Sequence, residues 1–198
     1  LKDPTSSKMK YPVLPLIEGN EKVGEVPDFA GQDKLTTEYT RRAVRFIENN
    51  KKGPFFLYLP HSMVHVPLGV SEKFRGKSRQ GLYGDVMMEV DWSVGEILKA
   101  VDRNGLARNT LIIFTSDNGP WLNFGNHAGT TGGLREGKGT SWEGGQRVPC
   151  IMRWTGVIPA GEICNRLASS IDLLPTVAAI TGAALPEKKI DGVNILPL

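Results

Sequence analysis

The chain reads as an α/β sandwich with a largely parallel sheet. Two observations predict this. Short apolar runs at Pro54–Pro60, Thr110–Thr115 and Val148–Trp154 alternate with helix-period segments, and the stretches that follow the first two runs are long, glycine- and histidine-bearing loops. With 198 residues, 40% hydrophobic and 23% charged, the chain has the composition of an ordinary packed domain.

Residues 1–35 are rich in proline, glycine and charge and lack a sustained period, so they read as an extended or looped lead-in to an α/β core over 36–198. A helix follows from Thr36 to Asn50, with Thr36 or Thr37 as its cap and Tyr39, Ala43, Phe46 and Ile47 at helical spacing. Pro54-Phe55-Phe56-Leu57-Tyr58-Leu59-Pro60 is nearly all apolar, as expected of a parallel strand covered on both faces. A second helix, about 80–104, carries Leu82, Val86, Val90, Val94, Ile97, Leu98 and Val101 on one face and stops at Asn104-Gly105. Thr110–Thr115 is the next strand. Residues 119–147 form a glycine-rich connection too long for an ordinary linker, and such loops are usually functional. Val148–Trp154 reads as a further strand with Cys150 as a small buried residue. Ser169–Gly182 reads as a helix with Pro175 near its first turn and Gly182 at its C-cap.

Charge and cysteine content exclude several classes. The net charge is +3 and the cations are scattered, so nucleic acid is not an expected partner. No apolar run reaches the roughly 20 residues that span a bilayer, and Leu1-Lys2-Asp3-Pro4 has no apolar leader segment. Cys150 and Cys164 form neither a disulfide framework nor a zinc motif, although a bond between them stays open.

Chemistry concentrates at three places. Asp117 and Asn118 end an apolar strand before Gly119, presenting two hard oxygen donors at a sheet edge. Local sequence alone reads equally as a turn, since Asn-Gly is a favoured turn dipeptide. Lys138 lies between Gly137 and Gly139, where bare backbone approaches a ligand and an ammonium meets an anion. His65 lies in a post-strand loop before Val66-Pro67, and His127 lies in the long loop, where a pocket-lining role and a plain surface role are equally open. Glu143, Arg147 and Asp172 read as structural. Trp92, Trp142 and Trp154 read as anchors, and Trp121, beside Asp117-Asn118, suits either job.

Pro54-Phe55-Phe56-Leu57-Tyr58, His65-Val66-Pro67, Tyr83-Gly84-Asp85, Glu89-Val90-Asp91, Phe114–Pro120, Gly137–Thr140, Glu143-Gly144-Gly145, Arg147-Val148-Pro149 and Asp172–Thr176 stand in an order that resembles the formylglycine-dependent sulfatases, especially their bacterial arylsulfatase-like branch. The resemblance covers residues 36 to the end. It implies an alkaline-phosphatase-like α/β/α fold, incomplete here, and hydrolysis of a sulfate ester on a sulfated small molecule or glycan. It also implies a periplasmic or secreted location. Asp117 and Asn118 match the family's ligands for a divalent cation, usually Ca²⁺, while Lys138 and His65 match its sulfate and leaving-group contacts. Related hydrolases of phosphate or phosphonate esters, or a non-catalytic metal-binding module, remain the alternatives.

The nucleophile segment C/S-x-P/A-x-R, whose first residue becomes formylglycine, is matched by neither Cys150-Ile151-Met152-Arg153 nor Cys164-Asn165-Arg166-Leu167. The chain therefore reads as an internal or C-terminal part of a longer catalytic domain. Such a piece is expected to be inactive by itself and to self-associate through exposed sheet edges.

Overall fold

The computed structural model describes residues 12–198, in two compact units whose boundary falls after Thr155. In the first unit, strands β1 (Leu14–Glu18) and β2 (Glu21–Val26) form an antiparallel hairpin, which gives the lead-in segment a regular structure that its sequence does not announce. Gly19 takes a positive φ of 63° in the turn, and Leu16 and Ile17 flank a shift in register. Pro12 and Pro15 suggest loop, and the hairpin buries little: Leu14, Ile17 and Val23 stay exposed. The first eleven residues lie outside the described part.

A short helix, α1 (Phe29–Gln32), leads into α2 (Leu35–Asn50). The expected threonine cap is not formed. Lys34 occupies the N-cap without a side-chain bond, and the threonines serve the helix interface instead. Thr40 donates to the Thr36 carbonyl at 2.7 Å and lies 2.6 Å from the Ser93 hydroxyl, and Thr37 donates to Glu89 at 2.8 Å. The partner helix is α3 (Gly81–Arg103), which ends near the predicted Asn104-Gly105 stop. Val86, Val90 and Val101 are buried as the periodicity predicts. Asp85, Glu89 and Ser93 are buried too, and hydrophobic spacing alone does not foretell them.

Those carboxylates hold the loop between the two helices. Glu89 accepts from the Ser71 amide at 2.9 Å, and Asp85 accepts from the amides of Gly76 and Ser78, both at 2.7 Å. The paired amides keep the Asp85 carboxyl below the usual carboxylate range. From the other side, Asp33 accepts from the Val70 amide at 3.0 Å. Met63, Leu68, Val70 and Phe74 of this loop pack with Val86 and Val90 into one apolar cluster, which Phe114 also joins.

The apolar run at 54–60 differs from expectation. It forms no ladder with another described strand, and its residues alternate: Phe55 and Leu57 face the cluster of Ile47, Ala100 and Val101, whereas Phe56 and Tyr58 are 76% and 75% exposed. One face is covered by helices and the other meets solvent. The paired strands are β3 (Ile112–Thr115) and β4 (Cys150–Arg153), antiparallel, with Ile113 opposite Met152 and Thr115 opposite Cys150. Cys150 is on its predicted strand but exposed rather than buried, because the first two residues of β4 are exposed on both faces and only Met152 and Arg153 are half-buried, and both cysteines are free thiols. Beyond the end of β4, Trp154 donates to the Arg108 carbonyl at 3.1 Å, the anchor role its sequence suggested.

The connection between β3 and β4 contains a 3₁₀ turn at Leu122–His127 and one helical turn, α4 (Glu143–Gln146). Its glycines lock three backbone segments together. The Gly119 amide donates to the Gly145 carbonyl at 3.0 Å, the Lys138 amide to the Pro120 carbonyl at 2.9 Å, and the Gly144 amide to the Arg135 carbonyl at 2.8 Å. A Cβ at Gly119 would collide with the Gly144 carbonyl oxygen, one at Gly137 with that of Pro120, and one at Gly144 with that of Glu136.

The second unit contains a 3₁₀ turn at Ser170–Asp172 and α5 (Leu173–Thr181), with Pro175 in its first turn and Gly182 at φ 72° as the C-cap. Asp172 is structural: it accepts from the Ser169 amide at 2.7 Å and the Val193 amide at 2.8 Å.

The interlocked glycines generate one prediction. Gly119→Ala and Gly144→Ala force backbone apart at a cost of about 1–3 kcal/mol, and each should lower Tm by at least roughly 3 °C. Gly53→Ala, whose Cβ meets nothing within 4 Å, should leave Tm nearly unchanged. Equal effects at all three positions in differential scanning calorimetry would exclude the interlock.

His61 generates a second. Burial pushes its pKa below the usual 6.5, with the Glu89 charge pulling weakly the other way. As pH falls below that value the unfolded chain takes up a proton that the folded chain resists, so stability declines with acidity. Tm should drop between about pH 7 and pH 5, and His61→Asn should flatten that drop. A profile identical in the variant would show that His61 takes up its proton equally in the folded and unfolded states and carries none of the acid sensitivity.

Candidate active site

β3 delivers Asp117 and Asn118 just past its last residue, as predicted. The Ser116 hydroxyl donates to the Asn118 carbonyl at 3.0 Å and shapes the turn. Neither the Asp117 carboxylate nor the Asn118 side-chain amide makes a hydrogen bond or ion pair among the described residues, so their oxygens are free to take a ligand. Two such donors suit part of a hard-cation shell. No group of three or more His, Cys, Asp or Glu side chains able to hold a metal occurs among the described residues.

The chain then passes through Gly119-Pro120 to Trp121, and Trp121 is where two of the predicted residues, His65 and Lys138, meet. The His65 ring lies 5.9 Å from the Trp121 ring, centroid to centroid, and the Lys138 ammonium lies 5.3 Å from it. Phe124 braces the indole from its edge at 4.8 Å. His65 and Lys138 are 73 positions apart in sequence, and both meet one aromatic ring, which lies three residues beyond Asp117-Asn118 in the chain.

The state of each group follows from its contacts. The Nδ1 of His65 lies 2.6 Å from the Val66 carbonyl, which can only accept, so the proton sits on Nδ1 and Nε2 faces outward. Lys138 pairs with no carboxylate among the described residues, so no counter-charge sits against its ammonium. Its backbone is fixed by the bond to Pro120, and the indole steadies the charge by cation–π attraction.

His127 ends the 3₁₀ turn that Trp121 opens, but it makes no ring contact or hydrogen bond with His65, Trp121 or Lys138, and its Nδ1 is buried without a partner. His61 belongs to the structure instead, with Nε2 3.1 Å from the Ser93 hydroxyl. Glu143 and Arg147 face each other at 3.4 Å on the exposed side of α4. The sequence leaves the role of Trp121 open, and its place between the Asp117-Asn118 turn and the glycine loop is the one signal it offers. The pairing of Arg135 with Trp142, 3.6 Å from guanidinium carbon to ring centroid, has no signal beyond both residues flanking Lys138.

The Sulfatase family model matches residues 4–183. Human steryl-sulfatase is 45% identical over 172 residues, covering 84% of this chain and 30% of that protein. Arylsulfatase A of Bos taurus is 40% identical over 185 residues, covering 93% and 36%. Among solved structures, Ps i-CgsB in complex with k-i-k-neocarrahexaose superposes with a TM-score of 0.81 at 34% identity, covering 92% of this chain and 41% of that one. The chain thus spans about a third of the length of these curated relatives, and it holds part of an alkaline-phosphatase-like α/β/α fold. The motif order, the backbone likeness and a family match over nearly the whole length agree: the chain belongs to the sulfatase family.

Proposed function

We propose that this chain carries the cation-binding and leaving-group side of the active site of a sulfuric ester hydrolase. The observation that carries this reading is the meeting of His65 and Lys138 on Trp121 beside Asp117-Asn118.

Asp117 and Asn118 would hold a divalent cation, calcium by the chemistry of all-oxygen donors. When bound, that ion supplies positive charge that orients a sulfate oxygen. The other roles fall to the chain's own side chains. Lys138 places a fixed, unneutralised ammonium where negative charge gathers on the sulfate and the departing oxygen, and such preorganised charge favours the transition state over the ground state. His65 turns Nε2 outward while its Nδ1–H is held by the Val66 carbonyl; as an imidazolium, protonated on both nitrogens, it can pass the Nε2 proton to the leaving oxygen and return to the neutral Nδ1–H form, with the ring kept aimed. His127, on the same loop as Lys138, we assign to the pocket wall; its support is the unpartnered Nδ1. The nucleophile, a formylglycine in the family resembled, comes from outside these residues. The substrate is a sulfated small molecule or glycan, which the glycan complex of the similar structure supports. No helix among the described residues is long and apolar enough to cross a membrane, and the bacterial arylsulfatase-like resemblance supports a periplasmic or secreted location.

Calcium should raise Tm of the full-length protein, by about 2.7 kcal/mol of added stability at 100 times Kd. Asp117→Ala should abolish that rise; an undiminished calcium response in the variant would remove Asp117 from the shell.

Lys138→Ala and His65→Ala in the full-length protein should each lower kcat for aryl sulfate hydrolysis roughly 10²–10⁴-fold with a smaller change in KM. The His65 loss should shrink for substrates with very acidic leaving phenols, which need little protonation. Identical losses across a series of leaving groups would show that His65 orients the substrate without transferring a proton.

A further inference from the structure

Three residues before Lys138, a second cation sits on a second indole. The Arg135 guanidinium lies 3.6 Å from the centroid of the Trp142 ring, and Trp142 is 48% exposed. Arg135 makes no side-chain hydrogen bond or ion pair among the described residues. Its neighbour in the same loop, Arg147, is paired with Glu143, and Arg41, Arg42, Arg75, Arg103 and Arg153 each face a carboxylate. Glu136 stands between Arg135 and Lys138 in sequence, at a φ of 61°, and pairs with neither. The Arg135 carbonyl accepts the Gly144 amide, so the backbone beneath this cation belongs to the same interlocked platform that fixes Lys138.

An arginine held flat on an aromatic face keeps its outer N–H fork free, and that fork matches the oxygens of a sulfate or a carboxylate. Stacking also restrains the side chain before any ligand arrives, which lowers the ordering cost of binding. Cα atoms three residues apart are separated by at most about 11 Å, so both cations can reach one extended ligand. The exposed indole beside the fork offers a flat apolar surface of the kind a pyranose ring covers.

From this we infer that Arg135 and Trp142 form a second anion-binding subsite, which holds an acidic group on the substrate other than the sulfate ester at Lys138. The substrate class is then a glycan with at least two acidic substituents. This rests on the sulfatase reading for Lys138, and it adds a specificity determinant that acts on binding and leaves bond cleavage alone.

The test uses the full-length protein, wild type and Arg135→Ala, with four substrates: an aryl sulfate, a monosulfated disaccharide, a disulfated disaccharide and a monosulfated disaccharide bearing a uronic carboxylate. Arg135→Ala should raise KM about 10- to 100-fold for the doubly acidic disaccharides, the size expected for a lost charge-assisted contact. It should leave kcat within about twofold and leave the aryl sulfate and the monosulfated disaccharide unchanged. A rise for only one doubly acidic substrate identifies the second group as sulfate or as carboxylate. Equal losses on all four substrates, or none on either doubly acidic one, overturn the proposal. Arg135→Gln, which keeps the aliphatic stem on Trp142, gives the same reading if the alanine variant folds poorly. If the wild type cleaves no sulfate ester, the hydrolase reading fails by itself. Calorimetric binding of the disulfated disaccharide then decides the subsite: at least tenfold weaker binding to Arg135→Ala supports it, and equal affinity overturns it.

Discussion

The close approach of three backbone segments, at Gly119-Pro120, Arg135–Lys138 and Gly144-Gly145, is the constraint on which the site depends. Lys138 is placed by its own amide, through the bond to Pro120, and not by its side chain. That bond requires Gly137, whose missing Cβ leaves room for the Pro120 carbonyl, and the next layer requires Gly119 and Gly144 for the same reason. An ammonium positioned by main chain leaves its side chain with no structural duty. The tip is then free to respond to charge in a ligand.

A second support holds His65 from the opposite side. The 61–80 loop has little regular structure, yet it is pinned at Ser71, Gly76 and Ser78 by buried carboxylates of α3 and at Val70 by Asp33. Buried carboxylates are costly unless hydrogen-bonded, and here each accepts main-chain amides that a loop would otherwise leave unmatched. Polar groups in the α2–α3 interface therefore do for the loop what a sheet ladder does for a strand. Met63 belongs to the apolar cluster against which Val64, Val66 and Phe114 of β3 all pack, and that shared cluster ties the loop to the strand.

Much of this was legible in the sequence, for reasons that mark what was not. The helices at 35–50 and 81–103 show in their 3.6-residue apolar spacing, and α5 shows in its Gly182 stop. The turn after β3 and the glycine-flanked lysine are local patterns as well. Asp85, Glu89, Thr36 and Thr40 were unreadable because burial of a polar group depends on a partner distant in sequence. The hairpin at 14–26 was hidden for the opposite reason: its strands bury too little to impose alternation. Phe56 and Tyr58 follow period two in their exposure, but a run that is apolar at nearly every position cannot say which face is covered. At the candidate site, the meeting of His65 and Lys138 on Trp121 was not legible, since an aromatic beside a turn looks the same whether it fills a core or gathers a site.

Indoles take the place of carboxylates around Lys138 and Arg135. A carboxylate beside Lys138 or Arg135 would fix either side chain, but it would also cancel the charge that an anionic ligand needs, and removing that partner on binding would leave a charge unpaired. A tryptophan face holds a cation by its quadrupole, for about 0.5–2 kcal/mol, without neutralising it. Lys138 on Trp121 and Arg135 on Trp142 therefore share one design: restrained in position, free in charge. The same ring that restrains Lys138 also abuts His65, so the ammonium and the imidazole keep a fixed spacing. Phe124 in turn keeps that ring from rotating away. On the hydrolase reading proposed above, charge, proton donor and spacer are thus held by one packed aromatic contact before a ligand arrives.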